Sequence, residues 1–142
     1  MSAIGNREYR AKILENTQFD QLLQGAIDMH YHGYPEISFK IKARMEDVKL
    51  LTLARDMGMR AIVIKSQMWP STANVYHLTQ RVPGIECFAS ITLNSIAGGF
   101  SPMAVEAAFG QGAKVIWLPT WSSSHKLGKG GFATMMKHGF LP

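Results

Sequence analysis

The sequence has little of several features that would place it in a special class of protein. Cys87 is its only cysteine, so a single chain cannot form an internal disulfide. No apolar run reaches the ~18 residues that a membrane-spanning helix needs. The opening stretch, MSAIGNREYRAKILEN, lacks the apolar segment of a secretory signal. These absences predict a cytoplasmic protein with no membrane partner.

A stripe of basic residues is also missing, although the chain carries a formal net charge of +5. The positive residues are scattered and do not alternate with exposed aromatics, so we expect no nucleic-acid partner. They include Arg7, Arg10, Lys12, Lys40, Lys42, Arg44, Lys126 and Lys129. The chain has 142 residues, 46% hydrophobic and 18% charged, which is typical of one globular domain.

Strand-like and helix-like segments alternate along the chain. The strand patterns are GAIDMHYHG, RAIVIKS, ECFASITLN and AKVIWLPT. The helix patterns between them are MEDVKLLTLARDMG, STANVYHLTQRV and SPMAVEAAFGQG. In the last of these, Ser101 is the expected N-cap and Pro102 the first helical residue. Units of about 25 to 35 residues predict an α/β fold built from parallel β/α units.

Two architectures fit four parallel strands. One is a small open sheet with helices on both faces, and the other is half of a (β/α)8 barrel, a TIM-like fold. In both folds, functional groups gather at the carboxyl ends of the strands. The predicted strands end in Asp28, His30 and His32, in Lys65, Ser66 and Gln67, in Thr92 and Asn94, and in Thr120 followed by residues 122–125. This convergence of polar groups is typical of an active site in a barrel mouth.

The first strand carries the strongest chemical signal. Residues i and i+2 of a strand point to one side, so His30 and His32 can aim at one ion, and Asp28 is expected on that side too. Asp28 could bind the ion or orient a histidine through its second ring nitrogen. Neutral imidazoles suit zinc, iron and nickel. The alternative is a pair of histidines that form hydrogen bonds in a polar mouth without a metal.

The motif Asp28-Met29-His30-Tyr31-His32 resembles the first-strand Asp-x-His-x-His of the amidohydrolase superfamily, whose members are metal-dependent hydrolases. The segments GMRAIVIKS and ITLNSIAGGFSPMAVEAAFGQGAKVIWLPT resemble, more specifically, a family of uncharacterised amidohydrolase-like proteins, a domain of unknown function. The resemblance runs from about Gln24 to about His125 and covers the N-terminal half of such a protein.

This resemblance implies a distorted (β/α)8 barrel with a metal centre at its mouth. His30 and His32 match the metal-binding pair of the superfamily, with zinc as the first expectation and iron, manganese or nickel as alternatives. Where the family has a histidine after the second strand, this chain has Gln67. The implied organisation is a helical segment over residues 1–24, a half-barrel over 25–125 and a Gly-rich tail over 126–142.

Three further residues at strand ends are candidates for binding substrate: Lys65, Asn94 and His125. Lys65 could bind a substrate carboxylate, become a carbamylated metal ligand, or form an ion pair with Asp28. Asn94 precedes a Gly-rich loop that could approach a ligand or simply lead into the next helix. His125 follows the fourth strand and could reach the mouth.

The function expected from these residues is hydrolysis of a C–N or C–O bond in a small molecule by a metal-activated water. The alternative is a catalytically incomplete fragment or degenerate barrel that keeps the fold without the activity. The open edges of a half-barrel also predict self-association, since unpaired strand edges attract further strands.

Overall fold

The computed structural model describes residues 21–34 and 45–123. Residues 21–24 are therefore the described part of the predicted N-terminal helical segment, and residues 21–23 are helical. The Gly-rich tail over residues 126–142 lies outside the described residues, and so does the candidate His125.

The strand and helix patterns within the described residues are confirmed. The strands are β1 (Ile27–His32), β2 (Ala61–Lys65), β3 (Glu86–Thr92) and β4 (Ala113–Trp117). The helices are α1 (Asp47–Asp56), α2 (Thr72–Arg81) and α3 (Pro102–Gly110), and a short 3-10 helix, Ser95–Ala97, precedes α3. The sequence patterns did not predict the 3-10 helix. None of the helices in the described residues is long and apolar enough to span a bilayer.

Local signals set the ends of the helices. Ser101 is the N-cap of α3, and its Oγ accepts a hydrogen bond from the Ala104 N–H at 3.3 Å. Gly58 follows α1 in the left-handed conformation, with φ of +79°, and its N–H donates to the Arg55 carbonyl at 2.9 Å. Because glycine has no Cβ, it adopts this conformation at little cost and ends the helix there.

The strands form one parallel sheet in the order β1-β2-β3-β4. In a doubly wound sheet the order reverses partway, which sends helices to both faces. Here each strand pairs with the next one in the chain, so right-handed crossovers place the helices on the same face. Of the two predicted architectures, the structure is consistent with half of a TIM-like barrel.

The hydrophobic core lies between the sheet and the helices. It joins alternate side chains of the two central strands to apolar side chains from all three helices. Its members include Ile62, Ile64, Cys87, Ala89, Ile91, Leu51, Ala54, Val75, Leu78 and Ala108. Cys87 is therefore a core residue, and burial, aided by the nearby Asp47 carboxylate, raises the pKa of its thiol to about 12. A thiol held protonated in this way is a poor nucleophile.

Candidate functional site

Three side-chain nitrogens meet at the carboxyl ends of β1 and β2, on the face of the sheet opposite the core. The Nε2 atoms of His30 and His32 are 3.1 Å apart, and Nζ of Lys65 lies 3.2 Å from Nε2 of His30. The ladder aligns His32 with Lys65, and directly aligned residues of neighbouring strands share a face. Lys65 is only 2% exposed. We call His30, His32 and Lys65 the nitrogen cluster.

Trp117, at the end of β4, contacts two members of the nitrogen cluster. Its ring stacks on His30 with centroids 4.8 Å apart, and the Nζ of Lys65 lies 5.2 Å from the ring centroid. A lysine ammonium over an aromatic face is an attractive cation–π contact. Since β1 and β4 are the outer strands of the sheet, this contact also shows that the sheet curls, as a barrel wall does.

The indole N–H of Trp117 is buried, and its Nε1 has no hydrogen-bond partner in the described part of the chain. A tryptophan Nε1 can only donate, so the missing partner is an acceptor. Leaving a buried donor without an acceptor costs about 1–3 kcal/mol. The site therefore contains one donor that residues 21–34 and 45–123 do not satisfy.

Asp28 does not lie beside the two histidine rings in the way that simple alternation predicts. Between Asp28 and Tyr31 the ladder with β2 shifts, so that β1 contains one extra residue. Asp28 aligns with Ile62, a core residue, whereas His32 aligns with Lys65 on the other face. The Asp28 carboxylate accepts a hydrogen bond from the backbone N–H of His30 at 2.9 Å. In this position it shapes the bulge that carries His30.

A buried carboxylate fixes the chain where it leaves β1. Asp47, at the start of α1, accepts hydrogen bonds from the Tyr34 N–H at 2.8 Å and from Nδ2 of Asn74 at 2.6 Å. Burial raises the pKa of Asp47, although both hydrogen bonds oppose that shift. Gly33, just before Tyr34, donates its N–H to the Lys65 carbonyl at 2.9 Å. These contacts hold the residues that follow His32.

The sequence analysis missed Asp47. An acidic residue in the first turn of a helix is ordinary, because it complements the helix dipole. Only its burial, at 6% exposure, distinguishes Asp47, and that burial depends on how the exit of β1 folds onto α1. No local pattern in the sequence signals it.

Asn94 and Gln67 belong to a second polar group, which we call the amide knot, together with Thr120 and Ser122. Oδ1 of Asn94 accepts hydrogen bonds from the N–H groups of Thr120 at 2.9 Å and Trp121 at 3.1 Å. Nδ2 of Asn94 donates to Oε1 of Gln67 at 3.0 Å, and the Thr120 hydroxyl donates to the same Gln67 oxygen. Both amide side chains are thus used to hold the loop that follows β4.

The structure brings together three of the predicted site residues, His30, His32 and Lys65. It places Asn94 in the amide knot and Asp28 on the bulge, and their predicted binding roles stay predictions. Within residues 21–34 and 45–123, no group of three or more His, Cys, Asp or Glu residues is arranged to hold a metal ion. The described residues therefore offer a pair of imidazoles as metal ligands.

Comparison with known proteins adds one finding. A family of unknown function, DUF6282, matches residues 25–138. Neither the curated proteins nor the solved structures contain a match to the chain. The matched segment includes β1 to β4, α1 to α3 and the 3-10 helix, together with the nitrogen cluster. The chain therefore belongs to the DUF6282 family.

Proposed function

We propose that the protein is a metal-dependent hydrolase of the amidohydrolase type, which cleaves a C–N or C–O bond in a small molecule. The observation that carries this proposal is the 3.1 Å distance between Nε2 of His30 and Nε2 of His32. Two ring nitrogens from one strand converge at the carboxyl end of a parallel sheet, where barrel enzymes bind their substrates. The resemblance of the Asp-x-His-x-His motif to that superfamily supports the same assignment.

The imidazole pair fits a transition metal. Zinc binds histidine nitrogens at about 2.0–2.1 Å, so one ion can reach two nitrogens that are 3.1 Å apart. Zinc is our first choice, with iron, manganese or nickel as alternatives. Three protein ligands are usual at a catalytic zinc. The remaining ligand would be Asp28, the candidate from the sequence, or a residue outside those described.

A bound metal would supply the acidity that turns water into a nucleophile near neutral pH. His30 and His32 would hold it as neutral imidazoles, through the Nε2 atoms that already face each other. Lys65 would give up its contact with Nε2 of His30, because a metal needs the same lone pair. The Lys65 ammonium, 2% exposed, would then face the substrate as a cation.

Metal content tests the proposal. We expect near-stoichiometric metal after reconstitution of the full chain with zinc or cobalt, and a loss of at least about tenfold in affinity in His30→Ala and in His32→Ala. The matched control is His77→Ala, because His77 is exposed on α2 and distant in the chain from the cluster. Equal metal content in all four proteins would contradict the proposal, and so would its complete absence from the wild type.

A second candidate function is a catalytically incomplete barrel. Gln67 stands where the resemblance implies a histidine, and its side chain is engaged in the amide knot. Such a protein would keep the imidazole pair but lack a third ligand from β2. Metal-loaded protein that hydrolyses none of a panel of amides, esters and lactones would favour this candidate. A small-molecule substrate and self-association through the edges of β1 and β4 stay predictions under either candidate.

A further inference from the structure

We propose that the segment over residues 124–142 of this chain docks in an open groove beside the start of α3 and covers the neighbouring face of β4. The groove is a surface cavity of about 320 Å³, and we call it the α3 groove. Its lining consists of Leu93, Phe100, Ser101, Pro102, Val105 and Glu106. The inference is independent of the proposed metal site, because Leu93 and Val105 belong to the core on the helix side of the sheet.

The first observation is the exposure of large apolar side chains around the groove. Phe100 lines the groove and is 74% exposed, although Val105 beside it packs against the core. Contiguous apolar side chains at the surface of a soluble domain mark an interaction site. The α3 groove therefore requires an apolar partner.

The second observation is that the helix-side face of β4 is also uncovered. Ile116 is aligned with Ile91, a buried core residue, so both side chains point toward the helices. Ile116 is nevertheless half exposed, and Leu118 is exposed. In the described part of the chain, no helix follows β4. Because a right-handed connection returns the chain to this same face, the residues that follow β4 are the natural cover.

The third observation is where the described chain ends. The N–H of Ser95 donates to Oγ of Ser122 at 2.8 Å, so the end of the described chain lies beside the 3-10 helix. From Ser95 to Phe100 the chain spans at most about 18 Å. Residues 124–131, fully extended, span up to about 28 Å, so the residues after them can reach the groove.

This tether also decides between the segment and a second copy of the chain. A short flexible linker holds its end at an effective concentration on the order of millimolar. A second copy at micromolar concentration would have to compete with a segment that is already beside the groove. We therefore assign the groove to the segment of the same chain.

The sequence of the segment suits an apolar groove. Phe132, Met135, Met136 and Phe140 follow the spacing i, i+3, i+4 and i+8, which is typical of one face of a helix. Methionine side chains are flexible and adapt to irregular apolar surfaces. The pattern places the four apolar side chains where one surface can bury them together.

Charge favours the same pairing. The segment carries Lys126, Lys129 and Lys137 and contains neither aspartate nor glutamate. Among the residues that line the groove, Glu106 is acidic and none is basic. A basic apolar segment is therefore attracted to this groove, whereas an acidic one would be repelled.

Hydrogen–deuterium exchange of the full chain, measured by mass spectrometry, tests the docking. The informative variant is Phe100→Ser, which removes an apolar side chain from the groove. The matched control is Phe109→Ser, because Phe109 is 68% exposed near the other end of α3 and does not line the groove. A second variant, Phe132→Ser, changes the segment and leaves the groove intact. Each protein is measured at low and at high micromolar concentration.

We expect the amides of residues 132–141 to be protected from exchange in the wild type, since docked backbone opens rarely. Phe100→Ser and Phe132→Ser should each lower this protection at least about tenfold, as expected for the loss of one buried phenylalanine. Phe109→Ser should exchange like the wild type. The protection of β2 and β3 reports whether each variant keeps its fold. If Phe100→Ser lost that protection, Phe132→Ser would decide the outcome.

The inference is overturned if residues 132–141 of the wild type exchange as fast as an unstructured chain. It is also overturned if Phe100→Ser and Phe109→Ser exchange alike, because the segment would then pack elsewhere. Protection that rises with protein concentration would identify a second copy as the occupant in place of the tethered segment. None of these measurements involves a metal, so the proposed function stands or fails separately.

Discussion

The nitrogen cluster and the amide knot lie at the same end of the same sheet, yet they differ in how their polar groups are used. In the amide knot, the neutral amide of Asn94 contacts the backbone of the β4 loop and the side chain of Gln67. In the nitrogen cluster, two imidazoles and the buried Lys65 side chain lie close together beside an indole whose N–H has no partner among the described residues.

This difference indicates that polar residues at strand ends can have two roles, stabilising a loop or binding a ligand. Neutral groups with complementary donors and acceptors can satisfy one another, and they then fix loops. The cluster instead contains two imidazoles, whose ring nitrogens can bind a metal cation through their lone pairs. We therefore expect substitutions in the knot to lower stability, and substitutions in the cluster to lower binding.

The largest effect on stability is expected at the centre of the knot. Asn94→Ala removes the acceptor of the Thr120 and Trp121 N–H groups and a donor to Gln67. Because Asn94 is 2% exposed, we expect the free energy of unfolding to fall by about 3 kcal/mol or more. Urea titration followed by circular dichroism measures this loss.

The control for that measurement is Thr79→Ala on the exposed surface of α2, which should stay within about 0.5 kcal/mol of the wild type. If Asn94→Ala lowered the free energy of unfolding by less than about 1 kcal/mol, the amide knot would not be a stabilising group. The contrast drawn between the knot and the nitrogen cluster would then be wrong. Substrate binding would in that case be the better explanation for the Asn94 side chain.

A smaller loss of stability is expected at Gly33, which follows β1 and packs near α1. A Cβ on Gly33 would lie 2.8 Å from Cγ2 of Ile64 and 3.2 Å from Oδ2 of Asp47. Gly33→Ala should therefore lower the free energy of unfolding by about 1–3 kcal/mol. It should also weaken metal binding, since Gly33 directly follows His32 in the chain.

Gly110→Ala is the matched control for Gly33→Ala. A Cβ at Gly110 would meet nothing within 4 Å, and alanine favours a helix over glycine by up to about 1 kcal/mol. The two alanine variants should therefore change stability in opposite directions. If Gly33→Ala were as stable as the wild type, the exit of β1 would be less tightly packed than this structure shows.

The smallest expected effect is a pH dependence of the free energy of unfolding that comes from Asp47. Burial raises the pKa of Asp47 above its ordinary value of 3.8, so the folded chain binds this proton more tightly than the unfolded chain. The contribution is favourable below pH 3.8 and is lost as the pH rises through the raised pKa. Asp47→Asn should remove this decline while an amide oxygen still accepts the Tyr34 N–H.

Unfolding free energies measured across that pH range test the expectation, with Asp56→Asn, an exposed position on α1, as the control. The control should keep the decline that Asp47→Asn removes. The opposite result would be a wild type whose unfolding free energy rises with pH over the same range, with Asp47→Asn removing that rise. The pKa of Asp47 would then be lowered by folding and not raised. Hydrogen bonding would then dominate over burial at this carboxylate.

The secondary structure could be predicted from short-range signals because they are properties of neighbouring residues. The β-branched run before Lys65 forms β2, and Ser101 with Pro102 begins α3, as their residue types require. The choice between an open doubly wound sheet and a half-barrel could not be made this way. It depends on which strands pair, and only the sequential order of the sheet decides it.

For the candidate site, the sequence by itself determined which residues carry lone pairs and charge at the strand ends, His30, His32 and Lys65 among them. Only the tertiary structure decided which of these residues come into contact. One extra residue in β1 breaks the alternation that would have put Asp28 beside the histidines. The curl of the sheet brings Trp117 from the fourth strand onto His30 of the first. Both outcomes arise from contacts between distant parts of the chain, which residue spacing along one strand cannot encode.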